Sequence, residues 1–217
     1  MIKKNIKMIT LTSLITLLPI IAGLILWDSL PDKIATHFNA NGVADGFSGK
    51  GFAVFGMPVF LFVLHWMCSF VTSIDPKRKN ITDKMFRLVL WICPCISILT
   101  SSVTLAFALD YKFNINIVFS VFFGLMFAVI GNYLPKCKQN YSMGIKIPWT
   151  LNDEGNWNYT HRIAGKLWFA GGIFIILTSF LTQKIFFYFF IPVVVLMAVI
   201  PVVCSYLYHK KHCEKKD

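Results

Sequence analysis

Residues Gly131–Lys166 read GNYLPKCKQNYSMGIKIPWTLNDEGNWNYTHRIAGK, and apolar runs flank this stretch on both sides. It is the longest polar segment of a chain that is 56% hydrophobic and 14% charged. A soluble domain of this size would carry roughly a quarter charged residues. The runs around it are about 20 residues long, the length a helix needs to cross the hydrocarbon layer. Only helices and closed barrels satisfy their backbone in lipid. These runs are too long and too uniformly apolar for barrel strands.

The pattern predicts an all-α integral membrane protein, one domain over 1–217, with six transmembrane helices: Met8–Trp27, Phe52–Thr72, Arg87–Leu109, Ile115–Leu134, Ala164–Leu181 and Ile185–Tyr208. The basic start (Lys3, Lys4, Lys7) resembles a signal peptide, but no small-x-small site follows, so an uncleaved first span is expected. Net charge is +11, and the cations gather at the ends of apolar runs. Under a six-span arrangement, 17 Lys and Arg residues fall on one side and 4 on the other. That bias predicts N-in and C-in, with a structured extracellular loop at 28–51 and a long cytoplasmic loop at 131–166. The same distribution argues for a lipid surface as a partner and against direct nucleic-acid binding. The six cysteines show no C-x-x-C spacing and no zinc-finger set, so neither a metal nor a disulfide framework is expected.

The loop at 131–166 is not a spacer, which would be rich in Ser, Gly or Pro or in one sign of charge. It mixes amides (Asn132, Gln139, Asn140), aromatics (Tyr141, Trp149, Trp157), cations (Lys146, His161, Arg162, Lys166) and turn-formers (Gly144, Pro148). Thr150 or Asn152 can cap a helix through Asp153, Glu154 and Trp157. Such a helix would lie on the membrane surface, with Trp157 in the headgroup layer and Arg162 and Lys166 near phosphates. The residues can serve anchoring alone, or a docking surface on the inner face.

In the first loop, Asp32 after Pro31 can cap a short helix through Ile34 and His37, and Asn41-Gly42 and Asp45-Gly46 read as turns. The loop is a small outer cap, a recognition surface for an extracellular peptide, or a catalytic pocket without a known motif. His65 is the one ionisable side chain deep in a predicted span. Such residues are costly in lipid and suggest function, yet a neutral histidine can also satisfy itself against a neighbouring helix.

Two motifs carry a family resemblance. P-K-x-x-Q-N-Y-x-x-G-I-x-x-P-W-T-L from Pro135 and W-x-x-T-H-R-x-x-G-K from Trp157 resemble the hallmark of the SdpI family of bacterial membrane proteins. P-x-x-I-x-x-H-F-x-x-x-G-x-x-D, from Pro31 to Asp45, resembles a small domain of unknown function that often precedes it. The resemblance implies a bacterial plasma-membrane protein giving immunity to a secreted antimicrobial peptide, and a signalling receptor that captures a transcriptional repressor. If the first loop is a recognition surface for that peptide, His37, Phe38, Asn39, Gly42 and Asp45 are its candidate residues. The resemblance points to Asn132, Pro135, Gln139, Asn140, Gly144, Lys146, Pro148, Trp149, Thr150, Trp157, His161, Arg162, Gly165 and Lys166 as the inner motif. Lys146 and Ile147 stand where the family more often has Arg and Thr, and a Lys cannot make the planar bidentate contact of an Arg. No G-x-S-x-G, H-E-x-x-H or P-loop is present, so the reading favours a protein without catalytic residues or cofactor. The alternative is a membrane enzyme or transporter acting on cell-envelope material.

Overall fold

The computed structural model describes residues 1–39, 41–181 and 183–213. The chain divides into two compact units, one of residues 1–74 and 83–115, the other of 75–82 and 116–217.

The first unit is a three-helix bundle carrying a β-hairpin. Helix α1 (Ile2–Ile25) packs against α2 (Met57–Ser73) and α3 (Asp83–Ala108), and a π-helical turn, Phe52–Gly56, leads into α2. Much of the outward surface is apolar, as in Leu14, Leu18, Phe60 and Val63. Inside, the bundle is partly polar. Ser97 donates to the Thr16 carbonyl at 2.7 Å, and His65 Nε2 lies 3.1 Å from Thr12 Oγ1. Small residues and interhelical hydrogen bonds are how helices associate where lipid removes the hydrophobic drive between them.

Strands β1 (Lys33–Phe38) and β2 (Ala44–Gly49) pair antiparallel, with a bulge between Ala35 and Phe38. The short helix expected from Asp32 is not formed. Ile34 and Ala35 are instead buried at the helix ends, where Leu30, Ala53, Val54 and Leu105 make a small apolar core. Burial of that neighbouring pair, with Phe38 edge-on to Phe107 at 4.9 Å, holds the segment extended. Gly42, at φ 70°, makes the turn expected at Asn41-Gly42, whereas Asp45-Gly46 lies within β2.

The second unit contains α4 (Ile115–Tyr133), α5 (Pro148–Asn152), α6 (Glu154–Thr178) and α7 (Gln183–Cys213). α6 packs on α7, and Trp168 Nε1 donates to the Met197 carbonyl at 3.0 Å. Helices α4 and α6 approach closely at glycines: a Cβ on Gly165 would sit 2.8 Å from the Gly131 carbonyl, and one on Gly124 would meet Ile176 and the Gly172 carbonyl.

Among the described residues, five helices are long and apolar enough to cross a membrane, not six. They are Ile2–Ile25, Phe52–Ser73, Asp83–Ala108, Ile115–Lys136 and Tyr188–His212. The expected span Ala164–Leu181 is the C-terminal part of α6, a single helix that begins at Glu154 and ends at Thr178. Glu154, Arg162 and Lys166 lie along that helix, and the purely apolar remainder is too short to cross alone. The N-in, C-in arrangement rested on an even number of crossings and falls with the sixth span. What stands is an α-helical integral membrane protein with one hairpin.

Candidate functional site

The inner motif folds into a hydrogen-bonded knot in the second unit, built on four buried polar side chains. Gln139 Nε2 donates to the carbonyls of Thr150 and Leu151 at 2.7 and 2.9 Å, and its Oε1 accepts from Lys77. Asn140 Oδ1 accepts from the amides of Ser142 and Met143 at 2.9 and 2.7 Å, and its Nδ2 donates to the Lys138 carbonyl. Thr150 Oγ1 lies 2.7 Å from the Ile145 carbonyl and accepts from the Ile147 amide at 3.1 Å. Asp75, only 2% exposed, is the fourth. It accepts from the Lys77 and Tyr141 amides at 2.7 and 2.9 Å and from the Ser142 hydroxyl.

Trp157 and His161 form the centre. Both lie on one face of α6, four residues apart, and their rings stack at 4.0 Å. Trp157 is 0% exposed, and its Nε1 donates to the Cys137 carbonyl at 2.7 Å. It is therefore a core residue and not the headgroup-layer anchor expected from sequence. The cap of α6 also differs: Asp153, neither Thr150 nor Asn152, accepts from the Gly155 and Asn156 amides. Asn156 is buried and bonds Ser205 of α7 twice, at 2.9 and 2.6 Å.

His161 Nε2 accepts from the Ile145 amide at 3.0 Å, so that nitrogen carries no proton. Nδ1 then donates to the Trp157 carbonyl at 2.8 Å. The ring is neutral, and burial lowers its pKa from 6.5 to about 4. An unfolded chain takes up this proton at higher pH than the folded one, so the histidine's contribution is complete above pH 6.5 and lost as pH falls towards 4. We expect thermal unfolding of the detergent-solubilised protein to lose about 3 kcal/mol across that window. In His161→Gln the slope should flatten, and an unchanged slope would remove His161 as its source.

Gly144 closes the knot. Its φ of 95° lies in the left-handed region, and a Cβ there would run into His161 Nε2. Cys137, buried beside Asn140, has its thiol pKa raised by burial and is not poised as a nucleophile.

The remaining motif residues stay outward. Lys146, Arg162 and Lys166 are exposed, as are Asn132, Pro135 and Pro148. Gly165 is buried at the α4–α6 approach. Trp149 is half-buried, its ring 5.2 Å from Tyr206 of α7. The structure thus separates residues that sequence reading grouped as one surface. Sequence reading missed Asp75. Its signal was an acid two residues before Lys77 in a basic connector, the spacing of an Asx turn.

In the first unit, the hairpin brings His37 and Asp45 together across the bulge, with Nδ1 2.5 Å from Oδ1 and both side chains substantially exposed. Asn39 Oδ1 accepts from the Asn41 and Val43 amides, holding the turn at Gly42. Phe38 packs inward on Phe107. His65 is buried between α1 and α2, on different elements from this cluster.

A bundle of long apolar helices with a polar knot and a hairpin defines a multi-pass membrane protein without a recognisable catalytic constellation among the described residues. Residues 136–205 match the SdpI/YfhL protein family, and residues 14–62 match a domain of unknown function, DUF1648. The chain is 28% identical over 214 residues to the immunity protein SdpI of Bacillus subtilis strain 168, covering 96% of this chain and 97% of that one. It is a multi-pass bacterial membrane protein, similar to the SdpI/YfhL family over residues 136–205. No solved structure matches it.

Proposed function

We propose that this protein confers immunity to a secreted antimicrobial peptide, by binding or occluding the peptide at the membrane without covalent chemistry. The observation that carries this reading is the end-to-end similarity to an immunity protein, which spans the hairpin, the knot and the apolar helices alike. We assign recognition to the hairpin, the exposed folded element of the first unit. It sits at the end of α1 remote from Lys3, Lys4 and Lys7, and it presents His37, Asp45 and Val43 to solvent.

The knot serves in this reading as a brace. Its signature side chains spend their hydrogen bonds on the knot's own backbone, which leaves few of them to meet a partner. Capture of a cytoplasmic repressor is the second reading. It is supported by the exposed cations Lys146, Arg162 and Lys166, which suit an anionic protein surface or lipid phosphate.

Exchanging residues 30–50 for those of the Bacillus subtilis relative tests the assignment. We expect the exchange to alter which secreted peptide is resisted while membrane abundance holds. If specificity stays with the apolar helices, recognition occurs within the bilayer and the hairpin is only a cap.

A further inference from the structure

We propose that the outer edge of β2 receives an extended segment of the resisted peptide as a third strand, held by backbone hydrogen bonds. This rests on the immunity reading above and specifies how the hairpin would recognise its partner.

The register identifies which backbone groups are available. At the base of the hairpin the Lys50 amide donates to the Asp32 carbonyl at 2.9 Å. Bonded and non-bonded pairs alternate in an antiparallel ladder. The next pair, Lys33 with Gly49, is therefore non-bonded, Ile34 with Ser48 is bonded, and Ala35 with Phe47 is non-bonded. The N–H and C=O groups of Phe47 and the N–H of Gly49 consequently point away from β1, while the Gly49 carbonyl takes the first bond of the helical turn that begins at Lys50. The sheet has two strands, and among the described residues no hydrogen bond from outside the hairpin reaches these outward groups.

The two strands are not equally accessible. β1 packs against α3 through buried Ile34 and Ala35. β2 exposes every second residue, Phe47 at 59%. Such an edge is a template for another strand, and natural proteins usually blunt it with lysine, proline or a covering element. Here Asp45 and the bulge blunt the turn end of β2, whereas Phe47, Ser48 and Gly49 carry no lysine, proline or bulge. The bulge facing His37 accounts for Gly46, where a Cβ would lie 2.8 Å from His37 Cβ. Gly49 stands at the N-cap of the helical turn that begins at Lys50, a position glycine favours, and a Cβ there would meet nothing within 4 Å. Unpaired peptide groups are complemented by peptide groups, and the exposed Val43 and Phe47 side chains would add apolar contacts and selectivity.

Gly49→Pro and Gly49→Ala separate the donor from the side chain. Both add a Cβ into open space, and only proline removes the outward N–H. Each is expressed in a bacterial strain lacking any relative of this chain and challenged with spent medium of the organism that carries this chain, with membrane abundance measured alongside. At equal abundance, Gly49→Pro should lower the resisted dose about tenfold relative to Gly49→Ala, as expected for losing a backbone hydrogen bond. Should Gly49→Pro deplete the protein, Phe47→Pro against Phe47→Leu gives the same comparison. Equal resistance of the proline and non-proline variants, or an equal fall in both, overturns strand addition and leaves the immunity reading intact. Cross-linked dimers that Gly49→Pro abolishes would assign the edge to a second copy of the chain and also overturn it. Failure of the unaltered chain to protect would instead refute the immunity reading itself.

Discussion

Trp157→Ala is expected to strip most of the protein from the membrane. Trp157 is fully buried, stacks on His161 at 4.0 Å and donates to the Cys137 carbonyl at 2.7 Å. Truncating a buried tryptophan costs about 3–5 kcal/mol. Whole domains are stable by only about 5–15 kcal/mol, so most of the margin would go. Trp157→Phe keeps a ring over His161 and loses only the donor, which should cost on the order of 1–3 kcal/mol. Membrane abundance and thermal unfolding in detergent read both variants. A Trp157→Ala protein of normal abundance that fails to recruit a cytoplasmic partner would return this residue to a docking surface.

That expectation reverses what the sequence suggests about the motif, and the reason is physical. A polar residue announces its chemistry but not its partner. Gln139, Asn140 and His161 read as available groups because the carbonyls and amides that occupy them lie at Thr150, Lys138, Met143 and Ile145, brought close only by the fold. Trp157 reads as an interfacial anchor because it stands among charges and amides. Its burial depends on the chain folding back from Cys137 to Gly144, which no periodicity reveals.

The apolar helices were far more legible, since in lipid a long run of apolar residues has few alternatives to a helix. Helices α1, α2, α3, α4 and α7 contain nearly all of the segments expected there. The failure came at α6, where a polar start and an apolar end share one helix. The boundary drawn at Ala164 marked a change of composition and not of secondary structure. The hairpin was missed for a different reason. Six-residue strands carry little periodic signal, and the cap reading of Asp32 competed with burial of Ile34 and Ala35, which only the neighbouring helices supply.

Asp75 offers the other large effect, and it tests whether the connector 75–82 is part of the knot. Its carboxylate is almost wholly buried, with the Lys77 amide on Oδ1 and the Tyr141 amide and Ser142 hydroxyl on Oδ2. The same connector supplies Lys77 to Gln139 Oε1 and Asn80 to the Gln139 carbonyl at 2.8 Å. Asp75→Ala would leave buried donors without an acceptor, at a cost on the order of 3 kcal/mol. Asp75→Asn keeps the shape but replaces one acceptor oxygen with an NH2. Whichever way the amide turns, that group faces an N–H or O–H that donates in the native protein, so Asn should rescue little. Both variants should fall in membrane abundance as Trp157→Ala does, because all three open the same knot. The pair Asp75→Ala and Trp157→Ala should then combine to less than the sum of the two single losses, as residues sharing one network do. Full additivity would mean that the connector and the α6 core are stabilised independently. Rescue by Asn to native abundance would mean that the shape of the carboxylate matters and its acceptor bonds do not.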